Sequence, residues 1–482
     1  MSEATKVDPK FRIAKGTLWD NAWKYAAMLG GLGLVITGIG FTQDAHRVAF
    51  SWLFAFTVFL TVALGALFFV VLQHLTVASW SVTVRRIAEF FSVGVVALAF
   101  LFAPIVIYRT ELYGEWMNHG TEHGGHAEGD SVLGASVAHA QGEHGEADHG
   151  APNQGAGDHA AEAHGAPGHD GAGHEGSAEA HGADDHGDAA EAHGEHMTPE
   201  HRLHGELLDH KAPYLNVPAW MARAAIYFLV WIVLAMFYFR ASTRQDRSRD
   251  TAETVKMQSW APMATFAFGF SLTFAAFDWL MSLTPGWYST IFGVCVFAGS
   301  AVTIHSLLIV MSLAFRNAGL LGEAVNTEHM HDLGKLTFGF IVFWAYVSFS
   351  QMMLIWYAGI PEEAVYYHLR WGDHGWTKVS VILLVGHFVF PFFFMLSRNV
   401  KRKYALVGFG AAWMLMMHIV DIYWYVLPHF APGHLEGSLF DVSALLAVGG
   451  TYLAVVFYVM REYPLVPVGD PRLSRALHHQ NA

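Results

Sequence analysis

The sequence predicts an all-α polytopic membrane protein of ten transmembrane helices, and three observations predict it. Of the 482 residues, 53% are hydrophobic and the mean hydropathy is +0.31, too apolar for an ordinary soluble domain. Ten stretches reach the roughly 20 mostly apolar residues that cross a hydrocarbon core. Lys and Arg are sorted between the segments that join them, 21 on one side and 7 on the other.

The first 20 residues are polar, with Lys6, Lys10, Arg12 and Lys15 and no cleavable leader pattern, so the first span serves as insertion signal. The spans are read at 22–41, 49–73, 88–108, 218–240, 259–281, 288–314, 335–357, 377–397, 404–427 and 440–462. They divide the chain into an N-terminal segment (1–21), spans one to three (22–108), a long loop (109–217), spans four to ten (218–462) and a C-terminal tail (463–482). An even number of spans puts both termini on one side. The Lys- and Arg-rich side holds both tails, Arg85, Arg86, Arg240–Arg249 and Arg398–Lys403, and is read as cytoplasmic. The sparse side holds Arg47, Arg109, Arg202, Lys211, Arg223, Arg370 and Lys378. Trp287, Tyr288, Trp356, Tyr357, Trp371, Trp376, Trp424 and Tyr425 then form an aromatic belt at the outer interface. The expected home is a bacterial cytoplasmic membrane.

The formal charge of −13 sits oddly with such a chain, and one segment accounts for it. Between Arg109 and Arg202 there is no Lys or Arg, but there are 19 Asp or Glu and 15 His. The remainder carries 28 basic and 22 acidic side chains, a net of +6. This outer stretch is rich in Gly and Ala, too poor in apolar residues to fold alone, and is expected to be disordered to about residue 200. A loose five-residue repeat runs through His144, His149, His159, His164, His169 and His174. Two readings stand side by side: soft coordination of zinc, copper or nickel, and a solvated tether.

Several classes are excluded. The one cysteine, Cys295, forms no intrachain disulfide and reads as a small packing residue. No C-x-x-C-H or cysteine cluster is present for covalent haem or iron–sulfur ligation. No Gly-rich phosphate loop is evident for nucleotide-driven transport, and nothing points to nucleic acid.

An ionisable side chain inside a span costs about 2.5–3.5 kcal/mol or more and asks for an explanation. Span nine carries His418 and Asp421, three apart on one helix face, with Tyr425 continuing that face. His418 lies about 21 Å in from Tyr404, within a core of about 30 Å. His387 lies near mid-depth in span eight, and Pro391 four residues later cannot donate to its carbonyl. His305 lies in the inner half of span six and Asp278 near the outer end of span five. His74 and Glu89 sit near the inner ends of spans two and three, where helix packing is the simpler reading. Ordered by depth, His305, His387, His418 and Asp421 make a staircase. It reads as a proton relay or quinone head-group site, or as hydrogen bonding that only holds the bundle. For a haem b, His387 with His418 is the one reasonable axial pair.

At these residues the chain resembles a known family. LLDHKAPYLNVPAWMARAAIYF (207–228), FDWLMSLTPGWYSTIFGVCVFAGS (277–300), HDLGKLTFGFIVFWAYVSFSQMMLIWYAGIPEE (331–363), GHFVFPFFFMLSR (386–398) and WYVLPHF (424–430) resemble the ActF-type membrane subunits of alternative complex III. These belong to the wider NrfD/PsrC-like membrane subunits of quinone-linked oxidoreductases. The likeness covers residues 200–430 closely and the first three spans by pattern; the His-rich insertion departs from it. It implies two four-helix bundles, spans two to five and six to nine, with flanking first and last helices. It implies a subunit of a quinol:cytochrome c, or other periplasmic acceptor, oxidoreductase that carries no redox centre itself. Quinone would be the small-molecule partner, and haems and iron–sulfur clusters would sit on other subunits. The implied partners are a homologous quinol-oxidising membrane subunit (ActC), an iron–sulfur subunit, c-type cytochrome subunits and a terminal oxidase. His305, His387, His418 and Asp421 then all fall in the second bundle.

Two other functions compete. A metal or ion transporter with a His-rich sensor loop should show paired metal ligands in its spans or inverted repeats, and only His418 with Asp421 comes near. A purely structural subunit of the same complex is hardly separated from the relay by sequence. The segment 361–377, which mixes aromatics and charge, reads as an interfacial helix or a docking surface.

Overall fold

The computed structural model describes residues 11–118, 199–371, 375–431 and 435–481. The His-rich repeat from His144 to His174 lies outside the described residues. Among those described there is no strand, and ten helices are long and apolar enough to cross a membrane. They are α1 (Leu18–Gln43), α2 (Ala45–Leu75), α3 (Val82–Ile107), α4 (Val217–Ser248) and α5 (Thr251–Leu283), then α6 (Phe292–Asn317), α7 (Thr327–Ala358), α8 (Trp376–Leu396), α9 (Tyr404–His429) and α10 (Leu439–Met460).

Every sequence-read span falls on one of these helices, but several helices run further. The α4 helix continues to Ser248, α5 begins at Thr251 and α7 at Thr327. Backbone capping sets these ends: Asp250 accepts from the Ala252 N–H, and Asn326 and His329 form a reciprocal capping box. Hydropathy registers the apolar length alone and is blind to the capped, polar turns beyond it.

The helices pack as two rings. In the first, α2 contacts α3 and α5, and α4 contacts α3 and α5; in the second, α6 contacts α7 and α9, and α8 contacts α7 and α9. These are the two four-helix bundles. They join where α2 meets α6 and α9, and where α5 meets α6. At this seam α2 and α6 approach closely, because a Cβ on Gly65 would clash with the Ser300 carbonyl. The flanking α1 and α10 pack mainly on each other, backbone to backbone at Gly30 and Gly450, and α10 lies on α2 and α3.

The first described residues and the C-terminal tail meet at one end, here the terminal face, where Leu465 N–H donates to the Phe11 carbonyl at 2.8 Å. The C-terminal tail runs across that face. Gly469 N–H reaches Asp246 of α4 at 3.1 Å, and His479 and Asn481 reach Asp332 of α7 at 2.6 and 2.9 Å. On the opposite, loop face, the long loop is helical at both described ends, Arg109–Met117 and Pro199–Lys211. Its first end is anchored: Tyr113 Oη donates to the Trp279 carbonyl at 3.0 Å and Trp116 Nε1 to that of Ser282 at 3.2 Å. The loop face also carries the helix Pro361–Trp371, on the segment read as interfacial.

A candidate proton-handling site in the second bundle

The polar interior is built from five helices. On α9, His418 and Asp421 both point inward, 1% exposed, as their spacing requires. They do not bond to each other. The Thr61 hydroxyl of α2 meets His418 Nε2 at 2.7 Å and also lies within reach of the Thr57 and Val58 carbonyls of its own helix. His418 Nδ1 has no partner among the described residues. Asp421 Oδ2 accepts from the Trp344 indole N–H of α7 at 3.2 Å, and Oδ1 has no partner among the described residues. The α6 backbone makes room for both: a Cβ on Gly299 would sit 3.2 Å from Asp421 Oδ2 and 3.6 Å from His418 Nδ1.

His387 joins through Trp344. The two rings lie 3.9 Å apart, centroid to centroid, and neither imidazole nitrogen has a partner among the described residues. Around it α8 opens into a π-turn, Leu384–Val389, which ends two residues ahead of Pro391. A proline cannot donate to the preceding turn, so the chain widens there, and the Trp413 indole takes up the Gly386 carbonyl at 2.7 Å. His387, Trp344, Asp421 and His418 therefore form one constellation inside the second bundle, with His418 reaching Thr61 across the seam.

His305 stands apart. Its Nδ1–H donates to the Ala301 carbonyl of its own helix at 2.7 Å, and its ring packs on Phe340 and Phe69 at 5.0 and 5.5 Å. Its Nε2 has no partner among the described residues, and the aromatic collar interrupts the expected staircase below His387. Asp278 is not part of it either. It is a fully buried carboxylate of the first bundle, held in two-pronged contact by Arg223 at 2.8 and 2.9 Å and by Tyr227 Oη at 2.7 Å. Its partner lies 55 residues away, which no local spacing reveals.

Above Asp421, toward the loop face, the site is closed by a plug. Tyr425 is buried there, with its ring edge-on to Phe292 at 5.5 Å. Arg370, from the helix Pro361–Trp371, is fully buried. It donates to the Trp424, Tyr425 and Tyr366 carbonyls at 3.2, 3.0 and 2.8 Å. It also donates to His429 Nε2 at 3.0 Å, which leaves His429 Nδ1–H to face the Thr284 hydroxyl at 3.3 Å. The guanidinium lies over the Tyr366 ring at 3.6 Å, and Tyr366 stacks on Trp287 at 3.9 Å. Burial pushes the Arg370 guanidinium down and the Tyr366 and Tyr367 phenols up from their ordinary values. The aromatic belt needs correcting accordingly. Tyr288, Trp356, Tyr357 and Trp371 are exposed, but Trp287, Trp376 and Tyr425 are buried, spent on packing and on the plug rather than on the interface.

A different arrangement holds the terminal face of the first bundle. Arg85 meets Glu89 at 3.1 Å and Asp470 at 2.9 Å; Arg86 meets Glu89 at 2.9 Å and Asp246 at 2.7 Å; Arg472 meets Asp470 at 3.0 Å. Three cations face three anions in a buried network. Burial alone would raise the Asp470 carboxyl, but Arg85 and Arg472 hold it well below the ordinary carboxylate range. His74 lies at the edge of this region, fully buried and stacked on Tyr238 at 5.2 Å.

The constellation fits a proton better than a ring. Contacts of 3.2 and 3.9 Å run from Asp421 through Trp344 to His387 with no ring-sized gap between them. A groove of about 460 Å³, lined by Val379, Ile382, Ile419, Val420, Tyr423, Leu435 and Gly437, lies on the face of α9 turned away from Asp421. Among the described residues no group of three or more His, Cys, Asp or Glu converges on a metal-sized site. No protein-family model matches the chain, and a search of curated proteins finds no relative.

Proposed function

We propose that the chain is an integral subunit of a quinone-linked oxidoreductase of the alternative complex III type, and that its second bundle carries protons while redox centres sit on partner subunits. The complex-level reading rests on the resemblance of residues 200–430; the proton role rests on one observation. Glu89, Asp246, Asp278, Asp332, Asp441 and Asp470 are buried and each meets a cation, whereas Asp421, equally buried, has only an indole N–H among the described residues. A carboxylate left unpaired in low dielectric neutralises by taking a proton, which makes it a proton-exchanging group. His418 and His387 lie within the same constellation, and each neutral imidazole has one ring nitrogen that can take a proton. The sorting of Lys and Arg supports a cytoplasmic terminal face in a bacterial inner membrane, with the plug facing the periplasm.

The test is purification in mild detergent followed by reconstitution. The chain should bring down an iron–sulfur and a c-type cytochrome subunit, and His418→Ala and Asp421→Asn should impair proton movement or quinol turnover while the complex still assembles. A lone chain that moves metal ions in liposomes would overturn the reading, and normal coupling in both variants would leave a structural role only.

A further inference from the structure

The buried cations divide as the buried carboxylates do. Arg47, Arg85 and Arg86 each meet a carboxylate, Asp441 at 2.6 Å in the case of Arg47. Arg370 meets none among the described residues; its donors go to three carbonyls and a neutral imidazole. It thus keeps a full positive charge inside the protein, offset only by the negative end of α9. The site lies directly beneath: Asp421 precedes Tyr425, whose carbonyl Arg370 holds, by one turn, about 6 Å along the axis. A helix end at the membrane surface can be capped by water, so capping alone does not call for a guanidinium clamped between Tyr366 and Trp424 at 3.6 and 4.9 Å.

We propose that Arg370 is an electrostatic seal at the loop-face end of the second bundle, excluding cations from the Asp421 site until the helix Pro361–Trp371 withdraws it. A fixed cation beside a narrow polar route repels any positive charge that tries to pass. The inference rests on the relay reading of Asp421 and adds a closed outer gate to it. Arg370 is a positioning residue here: it holds the field that a proton must cross and exchanges none itself.

Passive proton flux at rest, without turnover, reads this directly, and a purely structural cap would not change it in a charge-dependent way. The full chain with its co-purifying subunits is placed in liposomes containing a pH-sensitive dye, and a potassium diffusion potential is applied. Repulsion at about 10 Å with an effective dielectric near 20 corresponds to about a tenfold rise in flux for Arg370→Gln. Arg370→Lys keeps the charge and stays near the wild-type flux. Tyr366→Leu keeps the cation but removes its ring, giving a smaller rise of about threefold, and covers the case in which Arg370→Gln does not assemble. Flux unchanged in Arg370→Gln, or in Tyr366→Leu where that variant stands in for it, overturns the seal; so does a leak as large in Arg370→Lys as in Arg370→Gln. Adding Asp421→Asn to Arg370→Gln separates the two ideas: the leak should disappear, and a leak that persists sinks the relay through Asp421, whereas a tight Arg370→Gln sinks the seal alone.

Discussion

The terminal-face end of the first bundle and the middle of the second both bury ionisable side chains, and they meet the same energetic cost in opposite ways. Around Arg85 and Arg86 every buried charge has a partner of opposite sign within 3.1 Å. Around His387, His418 and Asp421 there is no counter-charge within hydrogen-bonding reach, and four ring or carboxylate atoms have no partner among the described residues. A matched network is costly to disturb and fixed in charge. An unmatched one is held neutral by the cost of an uncompensated charge and has no ion pair to break when a proton arrives or leaves. The two regions differ in how buried ionisable groups are matched, not in how deeply they are buried.

The comparison breaks most visibly at the network. Arg86→Met strands Asp246 and half of Glu89 without a cation, and a buried pair broken from one side costs about 3–5 kcal/mol. We expect a large fall in melting temperature in detergent, or loss of assembly; a variant as stable as wild type would show that the network is not what holds α3 to α4 and the tail. Next in size is the seam. Gly65→Ala forces α2 away from Ser300, with an expected loss of about 1–3 kcal/mol read in the same melting assay. Asp421→Asn should cost less than about 1 kcal/mol, because the amide oxygen keeps the Trp344 bond and no cation is stranded. Equal losses in Arg86→Met and Asp421→Asn would erase the distinction drawn here. The smallest effect is with pH. Asp470 is held below its unfolded value, so its contribution is complete above about pH 4 and is lost only as pH falls toward the folded value. Stability from this group should be the same at pH 7 and pH 5 and decline below pH 4. A fall already between pH 7 and pH 5 that Asp470→Asn abolishes would contradict the pairing.

The spans were legible because apolar length is a one-dimensional property. His387, His418 and Asp421 were legible for the converse reason, since an ionisable group among apolar neighbours stands out without any fold. Trp344, Thr61 and Gly299, which complete the site, were not. Trp, Thr and Gly are ordinary residues in a span, and their roles arise only from which helices pack together. The i, i+4 and i, i+3 spacing of Arg85 and Arg86 with Glu89 was a local signal for half of the network. Its other half, Asp246 and Asp470, comes from α4 and the tail. Arg370 counted in sequence as one more outer-side charge, and Trp287, Trp376 and Tyr425 as interfacial aromatics; the turn of the helix Pro361–Trp371 into the loop face took them inward.

Proton exchange at Asp421 is tested most directly by infrared difference spectroscopy of the purified protein across a pH step. A protonated-carboxyl band that shifts in heavy water, responds to pH and is lost in Asp421→Asn while present in Tyr425→Phe is the result expected. A carboxyl region unchanged by Asp421→Asn across the whole pH range would contradict it.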